Sequence, residues 1–199
     1  MTKKLYASQW MKITGKTSEE SSKLKEKLFA QLDDKEIKLL FDLSRSVEYA
    51  PSVGYCSADL AELAVNTIGI DRTLNILNEQ KDGRTMLSLL RKRESNLYKF
   101  HKKLIENILD YGIKERDYDT LLLLGRHIVM HYPKYLNKYV KSMLPLLKEY
   151  KYGEGKPANP VSCLAYLSPE VEVKVKRYMK YHKLTDALKR WKEYTTRRS

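Results

Sequence analysis

Residues 86–108 read MLSLLRKRESNLYKFHKKLIENI, and this stretch is the longest periodic segment of the chain. Its repeating side chains recur at intervals of three and four, the spacing that places them on one face of an α-helix. The periodic positions are Met86, Leu89, Leu90, Leu97, His101, Leu104, Ile105 and Ile108. The pattern predicts the longest helical segment of the chain, which ends at Tyr111-Gly112 with Gly112 as a left-handed cap.

Helix signals continue on both sides of this stretch. Asp33 with Glu36 forms a capping box, and Asp117 or Asp119 opens a later helix. Only 8 Gly and 6 Pro interrupt 199 residues. We therefore predict an all-α protein, a compact bundle of roughly seven to nine helices with a small basic helical extension at the C-terminus.

Residues 171–176 carry two patterns at once. The sequence VEVKVK alternates as a strand does. The same residues also fit a helix, because Val171, Val175, Tyr178 and His182 follow helical spacing, and we favour the helix.

The clearest linker is the segment GEGKPANP at 153–160, which has two Gly and two Pro. It predicts four parts: an N-terminal arm at 1–16, a helical core at 17–152, this linker, and a basic helical extension at 161–199.

Composition excludes several classes of protein. The chain is 42% hydrophobic and 32% charged, which is typical of a folded domain. No apolar stretch approaches the roughly 18 residues of a membrane-spanning helix, and the N-terminus does not resemble a signal peptide. Only Cys56 and Cys163 are present, so a disulfide framework is excluded. We expect a soluble intracellular protein of a reducing compartment (cytoplasm, nucleoid or virion) with no membrane partner.

Positive charge is concentrated in the second half of the chain. The formal net charge is +13, and residues 101–199 carry 21 basic against 11 acidic side chains. The last 26 residues, 174–199, hold ten Lys and Arg against Asp186 and Glu193. A one-sided cationic surface attracts polyanions, so nucleic acid is the predicted partner, with self-association or a larger nucleoprotein assembly as a further expectation.

Tyrosines are interleaved with these cations. Lysine neutralises phosphates, while tyrosine offers a stacking face and a hydroxyl group. The predicted nucleic-acid-binding residues are Lys134, Lys138, Lys141, Lys174, Lys176, Arg177, Lys180, Lys183, Lys189, Arg190, Lys192, Arg197, Arg198, Tyr135, Tyr139 and Tyr181.

A second pattern is Gly125-Arg126-His127-Ile-Val-Met-His131 behind an apolar run. It resembles the signature of the HEPN family of all-helical, metal-independent ribonucleases. The resemblance covers about seven residues and implies that Arg126 binds phosphate, that His131 is the acid/base and that His127 is a polar accessory. His127 and His131 also have the spacing of a metal-ligand pair, but no Cys or acid lies nearby in sequence, and we predict neither a metal site nor a cofactor.

Taken together, these patterns favour a non-enzymatic nucleic-acid-binding protein that grips the phosphate backbone, as a packaging or coat protein or as a helical subunit of a nucleoprotein complex. Two alternatives remain open: a HEPN-like ribonuclease, and an interaction module whose basic face docks an acidic protein. Sequence does not choose between DNA and RNA or between single and double strands.

Overall fold

The computed structural model describes residues 18–45, 57–92, 96–153, 158–165 and 167–196. Eleven α-helices lie in these ranges: α1 Ser18–Ala30, α2 Asp34–Arg45, α3 Ser57–Ile68, α4 Ile70–Glu79, α5 Gly83–Arg91, α6 His101–Glu115, α7 Tyr118–His131, α8 Leu136–Met143, α9 Pro160–Ala165, α10 Pro169–Tyr181 and α11 Thr185–Thr196. Three short 3₁₀ helices span Asn96–Phe100, Pro133–Tyr135 and Leu144–Lys148. These residues include no strand, so the all-α prediction is confirmed, and the helices slightly outnumber the predicted seven to nine. The predicted arm at 1–16 lies outside the described residues.

The stretch at 86–108 is not a single helix. Helix α5 ends at Arg91, and its C-cap Lys92 has an extended backbone with ψ of 90°. A 3₁₀ turn then precedes α6, which begins at His101. The apolar spacing of three and four residues is present on both sides of this break, because α5 and α6 each bury an apolar face. This division is one reason that the helix count exceeds the prediction.

Gly112 is not a helix cap, so this part of the prediction was wrong. Helix α6 continues through it to Glu115, and the left-handed residue is Arg116, with φ of 57°. A Cβ added to Gly112 would lie 2.7 Å from the side chain of Leu121. Glycine is therefore used here for close packing against α7 rather than for a turn.

The capping box at Asp33 and Glu36 is confirmed. The Asp33 N–H donates to Glu36 Oε2 at 3.0 Å, and the Glu36 N–H donates to Asp33 Oδ1 at 2.8 Å. Asp117 caps α7 by accepting from the Thr120 N–H at 3.0 Å. Each cap satisfies backbone groups that the first turn of a helix leaves unpaired.

Residues 171–176 are helical, as favoured. Ser168 caps α10 by accepting from the Val171 N–H at 3.3 Å, and proline occupies the first turn. Val171, Val175 and Met179 are buried at four-residue spacing. The buried set selects the helical period, because a strand would bury every second residue.

The chain divides into two compact units, Met1–Leu104 and Ile105–Ser199, and the boundary falls inside α6. In the first unit, α3 packs against α1, α2, α4 and α5. In the second unit, α9 packs against α7, α8, α10 and α11, and all six of its residues are buried.

The packing divides the chain at a different place from the predicted linker at 153–160, which lies inside the second unit. Helices α10 and α11 contribute to the core of that unit. Val175, Met179 and Ala187 are 0% exposed, and Trp191 is 1% exposed.

Tyr139 joins three helices of the second unit. Its hydroxyl donates to the Leu121 carbonyl at 2.8 Å and lies 3.4 Å from the Cys163 carbonyl. Its ring lies against Gly125, where an added Cβ would come within 2.8 Å of the tyrosine Cζ and hydroxyl. A glycine in the middle of α7 thus makes room for a fully buried tyrosine of α8.

We predict that truncation before Lys174 unfolds the second unit, because it removes Trp191 and its buried neighbours from the core. Cys163 reports the change: it is 0% exposed, and burial raises the pKa of its thiol to about 12, so it should resist thiol reagents in the folded chain. In a Cys56→Ser background the truncated chain should react rapidly and the full chain slowly. Equal protection in both chains would instead support a separable extension.

We also predict that Gly125→Ala destabilises the second unit by about 1–3 kcal/mol, because the new methyl group overpacks the Tyr139 ring. Tyr139→Phe should cost about 0.5–1.5 kcal/mol by removing the hydrogen bond from the tyrosine hydroxyl to the Leu121 carbonyl. Denaturant unfolding of these two variants and of Tyr139→Leu measures the single changes. Combining Gly125→Ala with Tyr139→Leu should cost less than the sum of the single changes; full additivity would contradict the contact.

Candidate nucleic-acid interface

Two segments of the second unit contain cations and no acidic residue. Residues 120–148 lie between Asp119 and Glu149 and carry five cations: Arg126, Lys134, Lys138, Lys141 and Lys148. Residues 173–185 also carry five: Lys174, Lys176, Arg177, Lys180 and Lys183.

The first segment directs its lysines outward because its apolar side chains are buried. Helix α8 buries Tyr139, Val140 and Met143, and the 3₁₀ turn after it buries three leucines. The remaining positions are half-buried or exposed. The exposed lysines are Lys134, Lys138, Lys141 and Lys148.

Helix α10 is arranged in the same way. Its buried stripe of Val171, Val175 and Met179 leaves Lys174, Arg177 and Lys180 exposed on the opposite side. Just beyond the helix, Lys183 is exposed with a left-handed φ of 53°.

The fold places these two segments side by side. Lys174 Nζ donates to Asn137 Oδ1 at 3.4 Å, which joins α10 to α8. Lys134 and Lys141 lie three residues before and four residues after Asn137, each about one helical turn away. Lys148 Nζ lies 6.0 Å from the ring of Tyr178 on α10.

We call the surface formed by Lys134, Lys141, Lys148, Lys174 and Arg177 the basic face. Among the described residues, none of these five cations forms a salt bridge with an acid. The basic face therefore carries five positive charges, and no acidic side chain among the described residues pairs with any of them.

Several other cations predicted for the interface have partners within the second unit. Lys138 pairs with Glu106 at 2.8 Å, Lys176 with Glu172 at 2.6 Å, and Arg190 with Glu193 at 2.7 Å. Lys189 Nζ lies 3.8 Å from the centre of the Tyr152 ring. Lys192 is exposed on α11, whereas Arg197 and Arg198 lie outside the described residues.

The three predicted tyrosines have different environments. Tyr181 is 81% exposed, whereas Tyr135 is half-buried, with Lys134 Nζ 5.2 Å from its ring centre. Tyr139 is 0% exposed, and its burial raises the pKa of its hydroxyl well above the ordinary value. A ring enclosed by the core cannot contact a ligand in this structure, so we leave Tyr139 out of the interface.

The residues of the HEPN-like pattern lie on different sides of α7. Arg126 is exposed, His131 is half-buried and His127 is 5% exposed. The two histidine rings are in edge contact, with centroids 4.6 Å apart. Arg126 and His131 are five residues apart and therefore lie about 140° apart around the helix axis. No group of three His, Cys, Asp or Glu side chains in the described ranges could hold a metal ion.

Sequence reasoning missed two residues of the interface, Asn137 and Lys148. Asn137 is the contact between α8 and α10, and such a contact has no signature in the sequence. Lys148 had a signal, because it ends the acid-free run that begins at residue 120.

Comparisons with protein families, with curated proteins and with solved structures found no match to this chain. Within the described residues, every helix is too short or too polar to cross a membrane.

Proposed function

We propose that this protein binds nucleic acid non-enzymatically, by gripping the phosphate backbone with the basic face of its second unit. The observation that supports this proposal is the contact between Lys174 and Asn137, because it brings two acid-free cationic segments together on one surface.

Phosphate is the ligand chemistry that suits this surface. Cations that have no acidic partner raise the local potential and concentrate a polyanion near the surface. Each phosphate that they neutralise releases counterions, and this release contributes binding free energy at low salt. Lysines supply point charges without a fixed hydrogen-bonding geometry, which favours backbone contacts over the reading of base edges.

A ribonuclease is less well supported by the geometry. Its acid/base and its phosphate-binding cation must reach the same scissile phosphate. Arg126 is exposed, whereas His131 is half-buried and its ring packs against the ring of the buried His127, with centroids 4.6 Å apart. We therefore propose that the protein is not an enzyme.

We predict that a variant with Lys134, Lys141, Lys174 and Arg177 all changed to Gln binds nucleic acid more weakly and with a lower salt dependence. If each cation neutralises one phosphate, the log–log slope of affinity against salt should fall by about 3 units. Fluorescence anisotropy at several salt concentrations, with DNA and RNA in single- and double-stranded form, measures this slope.

The matched control changes Lys27, Lys35, Arg84 and Arg91 to Gln. These exposed cations lie in the first unit, and the change in net charge is the same. The control should keep the wild-type slope. An equal loss of affinity in both variants would mean that only the net charge of the protein matters. If the wild type binds no nucleic acid but does bind an acidic protein, the basic face is a protein-docking surface. Either result contradicts the proposal.

We further predict that purified protein does not cleave single-stranded RNA in the presence of a metal chelator. Intact RNA after prolonged incubation, judged by denaturing gel electrophoresis, is the expected result. Cleavage that is abolished by His131→Ala, with an unchanged circular-dichroism spectrum, would establish the ribonuclease alternative.

A further inference from the structure

We infer that the basic face binds single-stranded nucleic acid, and that Tyr181 is the platform on which an unpaired base stacks. This inference rests on the proposed function and deepens it by choosing the strand state, which the charge pattern alone leaves open.

Tyr181 presents an aromatic ring to solvent at the C-terminal end of α10. Its residue is 81% exposed, the highest exposure among the large hydrophobic side chains of the described residues. His182 packs against the ring at 89°, with centroids 5.0 Å apart. Tyr178 in turn packs against His182, with centroids 4.3 Å apart. The neighbouring rings thus support Tyr181 from one side, while most of its surface stays open to a ligand.

The ring lies in line with cations of the basic face. Lys174, Arg177 and Tyr181 follow at intervals of three and four, so they form one stripe about 10 Å long on α10. Lys180 and Lys183 flank the tyrosine, and both are exposed. A strand whose phosphates follow Lys174 and Arg177 would therefore bring its next base to Tyr181.

Stacking requires a base whose face is accessible. In a duplex each base is covered above and below by its neighbours, so a ring on a helix surface reaches only the backbone. In a single strand the faces are accessible, and stacking on an aromatic side chain is the usual contact of single-strand binders. An exposed tyrosine beside phosphate-binding cations is therefore suited to a single strand and adds little to the binding of a duplex.

Tyr98 provides a matched control. It is 69% exposed, and its ring also packs against a histidine, His101, with centroids 4.8 Å apart. It lies in the first unit, away in sequence from both acid-free segments. Exposure and histidine contact are thus similar, and exposed lysines, Lys99 and Lys102, are also near Tyr98 in sequence; the difference is that Tyr98 does not belong to the basic face.

The test uses the full chain and three ligands, each about 12 nucleotides long, which is within the site sizes of single-strand binders. They are a single-stranded oligonucleotide, the same sugar–phosphate strand without its bases (the abasic strand), and the corresponding duplex. We expect the wild type to bind the strand with bases at least about 5-fold more tightly than the abasic strand. Tyr181→Leu should remove that difference and leave abasic and duplex binding unchanged, while Tyr181→Phe and Tyr98→Leu should behave as the wild type.

Other outcomes separate the two proposals. Equal wild-type affinity for the strands with and without bases would overturn the stacking inference but leave phosphate binding intact. A loss of affinity in Tyr181→Leu that is equal for all three ligands would also overturn it, because the tyrosine would then contact the backbone. Absence of binding to every ligand would overturn the proposed function itself.

Discussion

The basic face depends on the position of one buried side chain, the ring of Tyr139. The Tyr139 side chain lies on the backbone of α7 at Gly125, and its hydroxyl donates to the Leu121 carbonyl at 2.8 Å. This contact fixes the orientation of α8, since burial of Tyr139 turns Lys138 and Lys141 outward. The Tyr139 hydroxyl also lies 3.4 Å from the Cys163 carbonyl, and this contact connects α8 with the central helix α9. Without this packing the lysines of the first acid-free segment would have no defined position relative to α10.

Charge and packing have complementary roles in the second unit. Apolar stripes on α8 and α10 determine which way each helix faces, and the cations occupy the positions that remain. The nearby acids are used elsewhere: Glu172 pairs with Lys176, and Glu193 with Arg190. The same cations on a helix with interspersed acids would form local salt bridges, which contribute little stability and attract no polyanion. Absence of acids from 120–148 and 173–185 is therefore as important as the presence of lysines.

Local signals predicted local structure. The capping box at Asp33 and the cap at Ser168 were readable because each involves residues three apart in sequence. Tyr139 was predicted to bind nucleic acid, but its ring is buried against Gly125. The local sequence does not distinguish these two roles, because a tyrosine among lysines looks the same whether it contacts a ligand or packs against a glycine on another helix. The segment at 153–160 has the composition of a linker, yet the helices that follow it bury Trp191 in the same core. Such long-range contacts decide which cations come together, and a sequence alone does not record them.

We propose that two segments distant in sequence form one phosphate-binding surface. Amide hydrogen exchange of the full chain, with and without a saturating abasic oligonucleotide, tests it directly, because this ligand offers only a backbone. We expect slower exchange in residues 133–148 and 170–183 together, and no change in the first unit. Protection of only one of these segments, or protection centred in the first unit, would contradict it.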